Sequence, residues 1–304
     1  MTSRIRPLSQ LATSPEILIC EPWEDYALLD SGEGRKLERF GRVVLDRPDG
    51  QALWTPTLPK ADWQRADAHF LAGREEEGKG RWDMPGKPPP PWPVRYRQAQ
   101  VEAELTGFRH LGIFPEHRVH WDWTAERITS DSFELLNLFG YTGVASLIGA
   151  AAGARVTHVD ASKKAISWAR ANQDASNLSD KPIRWICEDA AKFVAREVRR
   201  GNRYDGIVLD PPKYGRGPKN EIWRLDEQLP QLLADCAALL DRNSAFLVLT
   251  AYATHLSAVS IAQLSEAALS GLGGRIGFGE MTIREAASGK LLPTSLFVRW
   301  DGRG

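Results

Sequence analysis

N-L-F-G-Y-T-G (137–143) is the stretch on which the fold turns. It closes a run of strand-forming residues, S-F-E-L-L-N-L-F (132–139), and opens onto a small, apolar run at 144–152, the longest in the chain and far too short to span a bilayer. A glycine-punctuated turn from a buried strand into a helix lets the backbone approach a ligand closely, because Gly140 and Gly143 carry no Cβ. The helix N-terminus then offers unpaired N–H groups to a pyrophosphate or a carboxylate. The same glycines are required if helix and strand simply pack tightly, and the stretch alone leaves the two readings even. The fingerprint G-x-G-x-x-G is absent, which argues against a nicotinamide or flavin site.

Working outward, R-V-T-H-V-D (155–160), I-R-W-I-C-E-D (183–189), Y-D-G-I-V-L-D (204–210) and S-A-F-L-V-L-T (244–250) are further short strands. Between them lie stretches of helical spacing, such as 162–177 with Ala165, Ile166, Ala169 and Ala175 on one face. Strand–helix alternation of this length predicts an α/β fold, a mostly parallel sheet with helices on both faces. Three of the strands end in an acid, Asp160, Asp189 and Asp210, and in an open parallel sheet those ends share one edge, where ligands bind. Asp160 stands twenty residues after Gly140, where an acid accepts hydrogen bonds from the ribose of an adenosine-containing cofactor. It could instead cap the following helix, although Ser162 can do that itself. Glu188 and Asp189 fall within reach of an adenine amine.

L-D-P-P-K-Y-G-R-G (209–217) must end its strand, because neither proline can donate a ladder hydrogen bond. Stiff backbone there would aim the Asp210 carboxylate in a set direction, with Lys213 and Tyr214 available for charge and stacking.

The bulk numbers bound the rest. The chain has 304 residues, 42% apolar and 26% charged, with 39 basic and 39 acidic side chains, so only a local basic patch could attract nucleic acid. Cys20, Cys187 and Cys236 are too scattered for a disulfide framework or a zinc site, which suits a reducing cytoplasm. The acid-free start M-T-S-R-I-R faintly resembles a transit peptide, but a bacterial N-terminus is the favoured reading. Seven of the eleven tryptophans lie in the first 123 residues, among short β-like pieces, so residues 1–90 are expected to form a small β-rich module. Residues 91–130 then connect it to the main domain at 131–304, and the proline-rich segment 82–93 is extended.

N-L-F-G-Y-T-G, V-D-A-S-K-K-A (159–165), E-D-A (188–190) and D-P-P-K-Y (210–214), in this order, resemble the four motifs of class I S-adenosylmethionine-dependent methyltransferases. More closely, they are similar to the bacterial 23S ribosomal RNA methyltransferases that modify cytosine C5 or guanine N7. The likeness covers roughly residues 105–300 and includes L-G-I-F-P-E-H-R (111–118), with Glu116 where those relatives carry Asp. It implies a Rossmann-like, mostly parallel seven-stranded sheet that binds S-adenosylmethionine and no metal. The cofactor residues it implies are Phe114, Asn137, Phe139, Gly140, Tyr141, Thr142, Gly143, Asp160, Ala161, Ser162, Glu188, Asp189, Ala190 and Asp210. Asp210, Pro211, Pro212, Lys213 and Tyr214 would border the transferred methyl. The expected substrate is a base nitrogen of RNA, ribosomal in the resemblance, and no membrane is involved. A protein or small-molecule acceptor, or a non-catalytic cofactor-binding assembly factor, are the alternatives.

Two features bear on that choice. Methylating cytosine C5 requires a cysteine nucleophile, and the strand ends D-P-P-K-Y and L-T-A-Y-A (249–253) hold none. All three cysteines read as packing residues. Of the basic run at 192–219, only Lys213, Arg216 and Lys219 stand near the acid-ended strand edge, and the residues at 196–203 read as a solvated helix face. The N-terminal tryptophans read as that module's core rather than as stacking platforms.

Overall fold

The computed structural model describes residues 11–73, 79–218, 221–252 and 254–303. The N-terminal ten residues and Lys219 lie outside these. Strand β1 (Glu16–Cys20) precedes a five-stranded sheet of β2 (Tyr26–Gly32), β3 (Arg35–Phe40), β4 (Val43–Pro48), β5 (Ala68–Ala72) and β6 (Gly80–Asp83), with one helical turn, α1 (Lys60–Trp63), before β5. A hairpin of β7 (Trp92–Tyr96) and β8 (Ala99–Ala103) leads through a tight 3-10 turn, Pro115–His117, into α2 (Arg118–Ala125).

The alternating region follows as β9 (Glu134–Leu138), α3 (Val144–Ala151), β10 (Arg155–Asp160), α4 (Lys163–Ala175), β11 (Ile183–Cys187), α5 (Ala190–Arg200) and β12 (Gly206–Leu209). A short hairpin, β13 (Tyr214–Arg216) and β14 (Ile222–Arg224), comes next. The chain ends with α6 (Leu225–Ala238), β15 (Phe246–Ala251), α7 (Ala258–Leu269), β16 (Arg275–Arg284) and β17 (Leu291–Asp301). Strands β12 and β15 are buried along their whole length, as the central strands of a sheet covered on both faces must be.

Seven of these strands stand in the order β16-β17-β15-β12-β9-β10-β11, with β17 alone reversed, which is the mostly parallel sheet expected. An eighth joins them. β1 pairs parallel to β16, Glu16 opposite Gly279, where a Cβ on Gly279 would collide with the Glu16 carbonyl. The bare glycine backbone lets an N-terminal strand cover an edge that would otherwise be open. At the centre, β10 lies on one side of β9 and β12 on the other, so the strand order reverses there and a crevice opens beyond their carboxyl ends.

The N-terminal sheet is packed against the large one. Ala286 N–H donates to the Leu28 carbonyl (2.8 Å), and the Ser31 hydroxyl donates to buried Glu285 (2.6 Å). Tyr26, Phe40 and Trp92 share one apolar core with Trp121, Leu147 and Ile283. None of the seven N-terminal tryptophans is exposed; Trp23, Trp54, Trp82, Trp92 and Trp121 fill this core and its margins, Trp123 packs on a neighbouring apolar cluster, and Trp63 donates its indole N–H to Asp30 (2.9 Å). No helix among the described residues is long and apolar enough to cross a membrane.

Two histidines in these layers give the fold a pH limit. His158 on β10 is fully buried and its imidazole is pushed down to about 3, and burial also holds His120 on α2 well below its ordinary value. Both stay neutral in the fold and regain an ordinary pKa of about 6.5 when it opens. Their depressed folded values contribute stability that is complete above about pH 6.5 and lost as pH falls below it, for His158 toward about 3. Urea unfolding at neutral and mildly acidic pH should therefore show a lower midpoint in acid, and a midpoint that does not fall would contradict this.

Candidate active site

Turn 137–143 is strained, and the strain is held by cross-ties. Phe139 (φ 56°) and Tyr141 (φ 50°) flank Gly140, a left-handed conformation that costs a side-chain-bearing residue about 1–3 kcal/mol. Tyr141 N–H donates to Asp160 Oδ2 (2.9 Å) and Gly140 N–H to the Val159 carbonyl (3.1 Å), tying the turn to the end of β10. The Thr142 hydroxyl donates to the Gly112 carbonyl, and Asn172 Nδ2 donates to the Thr142 carbonyl (3.0 Å).

The glycines face protein. A Cβ on Gly140 would enter the His158 ring and come within 2.9 Å of the Asn137 amide. That ring is held by Ser146 Oγ at 2.9 Å, and Asn137 Nδ2 donates to the same oxygen at 2.8 Å. Gly143 has φ 89°, and its Cβ would stand 3.0 Å from that of Ala169. Of the two readings of these glycines, the geometry favours close packing, and buried Asn137 supports the turn from beneath.

Above the turn lies a cavity of about 430 Å³, a size common for small-ligand sites. Phe139, Tyr141, Asp160, Ala161, Ser162, Asp189, Ala190, Asp210 and Phe114 all line it, so these expected residues converge. Asp160 accepts from both Tyr141 N–H and Ser162 N–H (2.8 Å); burial raises its pKa, and these two N–H groups oppose the rise. Ser162 caps α4 by accepting from Ala165 N–H (3.2 Å), and Asp189 caps α5 by accepting from Lys192 N–H (2.9 Å). Each acid thus has lone pairs left for a ligand after completing a backbone contact.

Other expected residues stand elsewhere. Glu188 does not line this cavity; its carboxylate accepts from Arg196 Nη1 at 2.5 Å. Lys213 and Tyr214 are exposed and line neither this cavity nor the neighbouring one, because the chain past Pro212 climbs into the β13–β14 hairpin. Pro211 is buried, and the Pro212 carbonyl accepts from the Trp223 indole (2.6 Å). Cys187, read as a packing residue, is exposed at its strand end, whereas Cys20 and Cys236 are buried.

Asp210 has the most unusual surroundings. Its Oδ2 lies 3.5 Å from His117 Nε2, while Oδ1 is sealed from solvent with no hydrogen-bond partner. Burial raises its pKa, His117 opposes the rise and Glu116 adds to it. A sealed carboxylate oxygen without a donor costs roughly 1–3 kcal/mol, and the part of the carboxylate a bound group can reach is the remaining exposed 21% of the side chain. Among the described residues no group of three or more His, Cys, Asp or Glu side chains is arranged to hold a metal.

Several walls were not anticipated: Thr106, Phe108 and His110 before the 3-10 turn, Trp168 on α4, Trp223 on β14, and Tyr252 after β15. Tyr252 had a readable signal, since it ends a strand at the ligand-binding edge. Trp168 had another, three residues after Ala165 on the same helix face. His110 and Trp223 had none, because their places depend on how separate segments pack.

No family model matches the chain. A solved structure described as the SAM-dependent methyltransferase from Agrobacterium tumefaciens is 46% identical to it, with a TM-score of 0.93 over 99% of this chain and 98% of that one. A methyltransferase complexed with SAH, 16% identical, shares the fold at a TM-score of 0.64 over 91% of this chain and 75% of that one. Among curated proteins, "Ribosomal RNA large subunit methyltransferase K/L" of Shewanella oneidensis is 34% identical over 124 residues, 40% of this chain and 17% of that protein. Its namesake in Shewanella frigidimarina is 30% identical over 147 residues, 48% of this chain and 20% of that protein. The chain thus spans about a fifth of the length of these curated relatives.

Proposed function

The chain belongs to the S-adenosylmethionine-dependent methyltransferases, and from that premise we propose that it methylates a base nitrogen in RNA, ribosomal RNA being the favoured substrate. The observation that carries the reading is Asp210. A carboxylate with a sealed, unpartnered oxygen stands on the D-P-P motif at the end of the central parallel strand β12, beside a cavity whose acids suit a nucleoside. The likeness to proteins named as ribosomal RNA methyltransferases supports RNA as the acceptor.

Asp160 would accept the ribose hydroxyls, Asp189 would meet the adenine edge, and Phe139, Trp168 and Trp223 would enclose the apolar parts. Bound there, S-adenosylmethionine supplies an electrophilic methyl on a sulfonium. For an exocyclic amine, Asp210 would accept the proton that the nitrogen sheds as it takes the methyl. A ring nitrogen sheds none, and there the carboxylate would balance the charge the base acquires. Pro211 and Pro212 hold that carboxylate in place, which matters because positioning is most of what the transfer needs. Lys213, Tyr214 and Arg216 on the exposed hairpin would meet nucleotides flanking a base drawn out of its stack. Residues 1–90, 91–130 and 131–304 would act as substrate module, connector and catalytic domain.

A nitrogen acceptor is favoured because no cysteine lines the cavity. Burial pushes the Cys20 thiol up to about 12 and raises that of Cys236 as well, so neither supplies a thiolate. Serine at all three cysteine positions should leave methyl transfer within about twofold of wild type, against the 10²-fold or greater loss expected when a nucleophile or general acid–base group is removed. Loss of transfer in a folded Cys187→Ser variant, or 5-methylcytidine as product, would reverse the choice of nitrogen. The reading as a whole is tested by mass spectrometry of RNA nucleosides from cells with and without the gene: one methylated nucleoside should disappear, and an unchanged profile would remove RNA as the substrate.

A further inference from the structure

A second cavity, of about 280 Å³, lies where the N-terminal sheet meets the methyltransferase domain. One wall comes from the N-terminal module: Lys36 on β3, Arg47 on β4, and the turn from Pro48 through Gln51. The opposite wall is the 3-10 turn with Glu116 and His117, together with Pro293, Thr294 and Ser295 on β17. The two cavities share four wall residues, His110, Phe114, Asp210 and Tyr252, so they meet at the carboxylate whose Oδ1 is unpartnered.

Their linings differ. The first carries much apolar surface and the strand-end acids suited to a nucleoside. The second is ringed by three cations, of which two are already engaged. Arg47 donates to Glu38 (2.5 and 2.9 Å) and to the Arg109 carbonyl (2.7 Å), and Lys36 stands 3.2 Å from Asp49. Arg109 is the third. Among the described residues its guanidinium pairs with no carboxylate, yet its charge is felt at His110 and Tyr252, two of the four residues that bridge the cavities. An unpaired guanidinium beside a polar cavity is a ready phosphate site.

We propose that this second cavity receives the methyl acceptor, a single nucleotide drawn out of its strand, with its base against Asp210 and its phosphate on Arg109. The proposal rests on the RNA reading above and adds the route of entry. The acceptor comes in between the two modules, opposite the cofactor, so the N-terminal module builds one wall of the acceptor site. A cavity of this size admits one nucleotide and not a duplex, in line with the need to extrude a base before acting on it.

Two variants separate the acceptor from the cofactor. Arg109→Ala removes the cation. Gly50→Phe adds a large ring to the N-terminal wall of the second cavity, at a position where a Cβ would meet nothing within 4 Å. Three quantities are measured on the full chain: the calorimetric Kd for S-adenosylmethionine, tritiated methyl transfer to ribosomal RNA from a strain lacking the gene, and binding of that RNA across a salt series. Arg109→Ala should raise KM for RNA about tenfold, roughly one charge-assisted hydrogen bond, and lower the slope of log K against log salt by about one. Arg109→Lys should keep the slope. Gly50→Phe should lose transfer, and the cofactor Kd should stay at the wild-type value in all three. Wild-type transfer and salt slope in both Arg109→Ala and Gly50→Phe would overturn the proposal alone, as would loss of cofactor binding in Arg109→Ala. A wild-type protein that binds cofactor but transfers nothing to this RNA would overturn the RNA reading, and the phosphate site with it.

Discussion

Replacing Asp210 by alanine will lower methyl transfer by about 10²–10⁴-fold, the range for removing a positioned general acid–base group, and will leave the Kd for S-adenosylmethionine within about threefold of wild type. The split follows from geometry. Asp210 lines both cavities, and among the described residues its two oxygens have only His117 between them as a protein partner, so the carboxylate is not needed to hold the turn at 137–143. Burial raises its pKa, so the ionised form that can accept a proton is lost as pH falls through that raised value. The wild-type rate should fall in acid for this reason, and Asp210→Asn should remove that limb of the profile along with most of the activity. A variant that binds cofactor normally and turns over at the wild-type rate would make the D-P-P segment a strand stop and nothing more.

Asp160→Ala is expected to act on the other side of the sulfonium. It should weaken S-adenosylmethionine at least tenfold by calorimetry, since even one charge-assisted hydrogen bond is worth roughly 1.5–3 kcal/mol. It should also cost stability, which the sequence alone would not suggest. The carboxylate accepts from Tyr141 N–H and Ser162 N–H, and Tyr141 sits in a left-handed conformation that this contact holds. Leaving such an N–H unpaired costs about 1–3 kcal/mol, and in a chain of this size each kcal/mol lowers Tm by only a few degrees, so the variant should still fold. Unchanged cofactor affinity in a folded Asp160→Ala protein would remove this residue from the cofactor site.

The two experiments read opposite ends of one arrangement. In the proposed arrangement the strained turn, with its ties to β10 and to the segment around Gly112, would set where a nucleoside lies, and the D-P-P strand end would set where an acceptor meets it. The N-terminal sheet, tied through Leu28 and Ser31 to Glu285 just after β16, would close the far side and make that module part of the proposed site.

By itself the sequence determined the parallel sheet, the glycine turn, the acids at the strand ends and the family, because each is written in a few neighbouring residues. Apolar runs set the strands, glycine and proline end them, and an acid after a parallel strand needs no partner to be placed at the ligand edge. The tertiary structure alone decided what those residues touch. It set Gly140 against His158 from the next strand, paired Glu188 with Arg196, left Cys187 exposed, and brought His117 to Asp210 from a distant segment. It also joined β1 to the large sheet and opened the second cavity between two modules. The physical reason is that backbone periodicity and turn chemistry are local preferences repeated along a segment, whereas a side chain's partner is a non-local contact typically worth about a kcal/mol, decided only once the elements have packed.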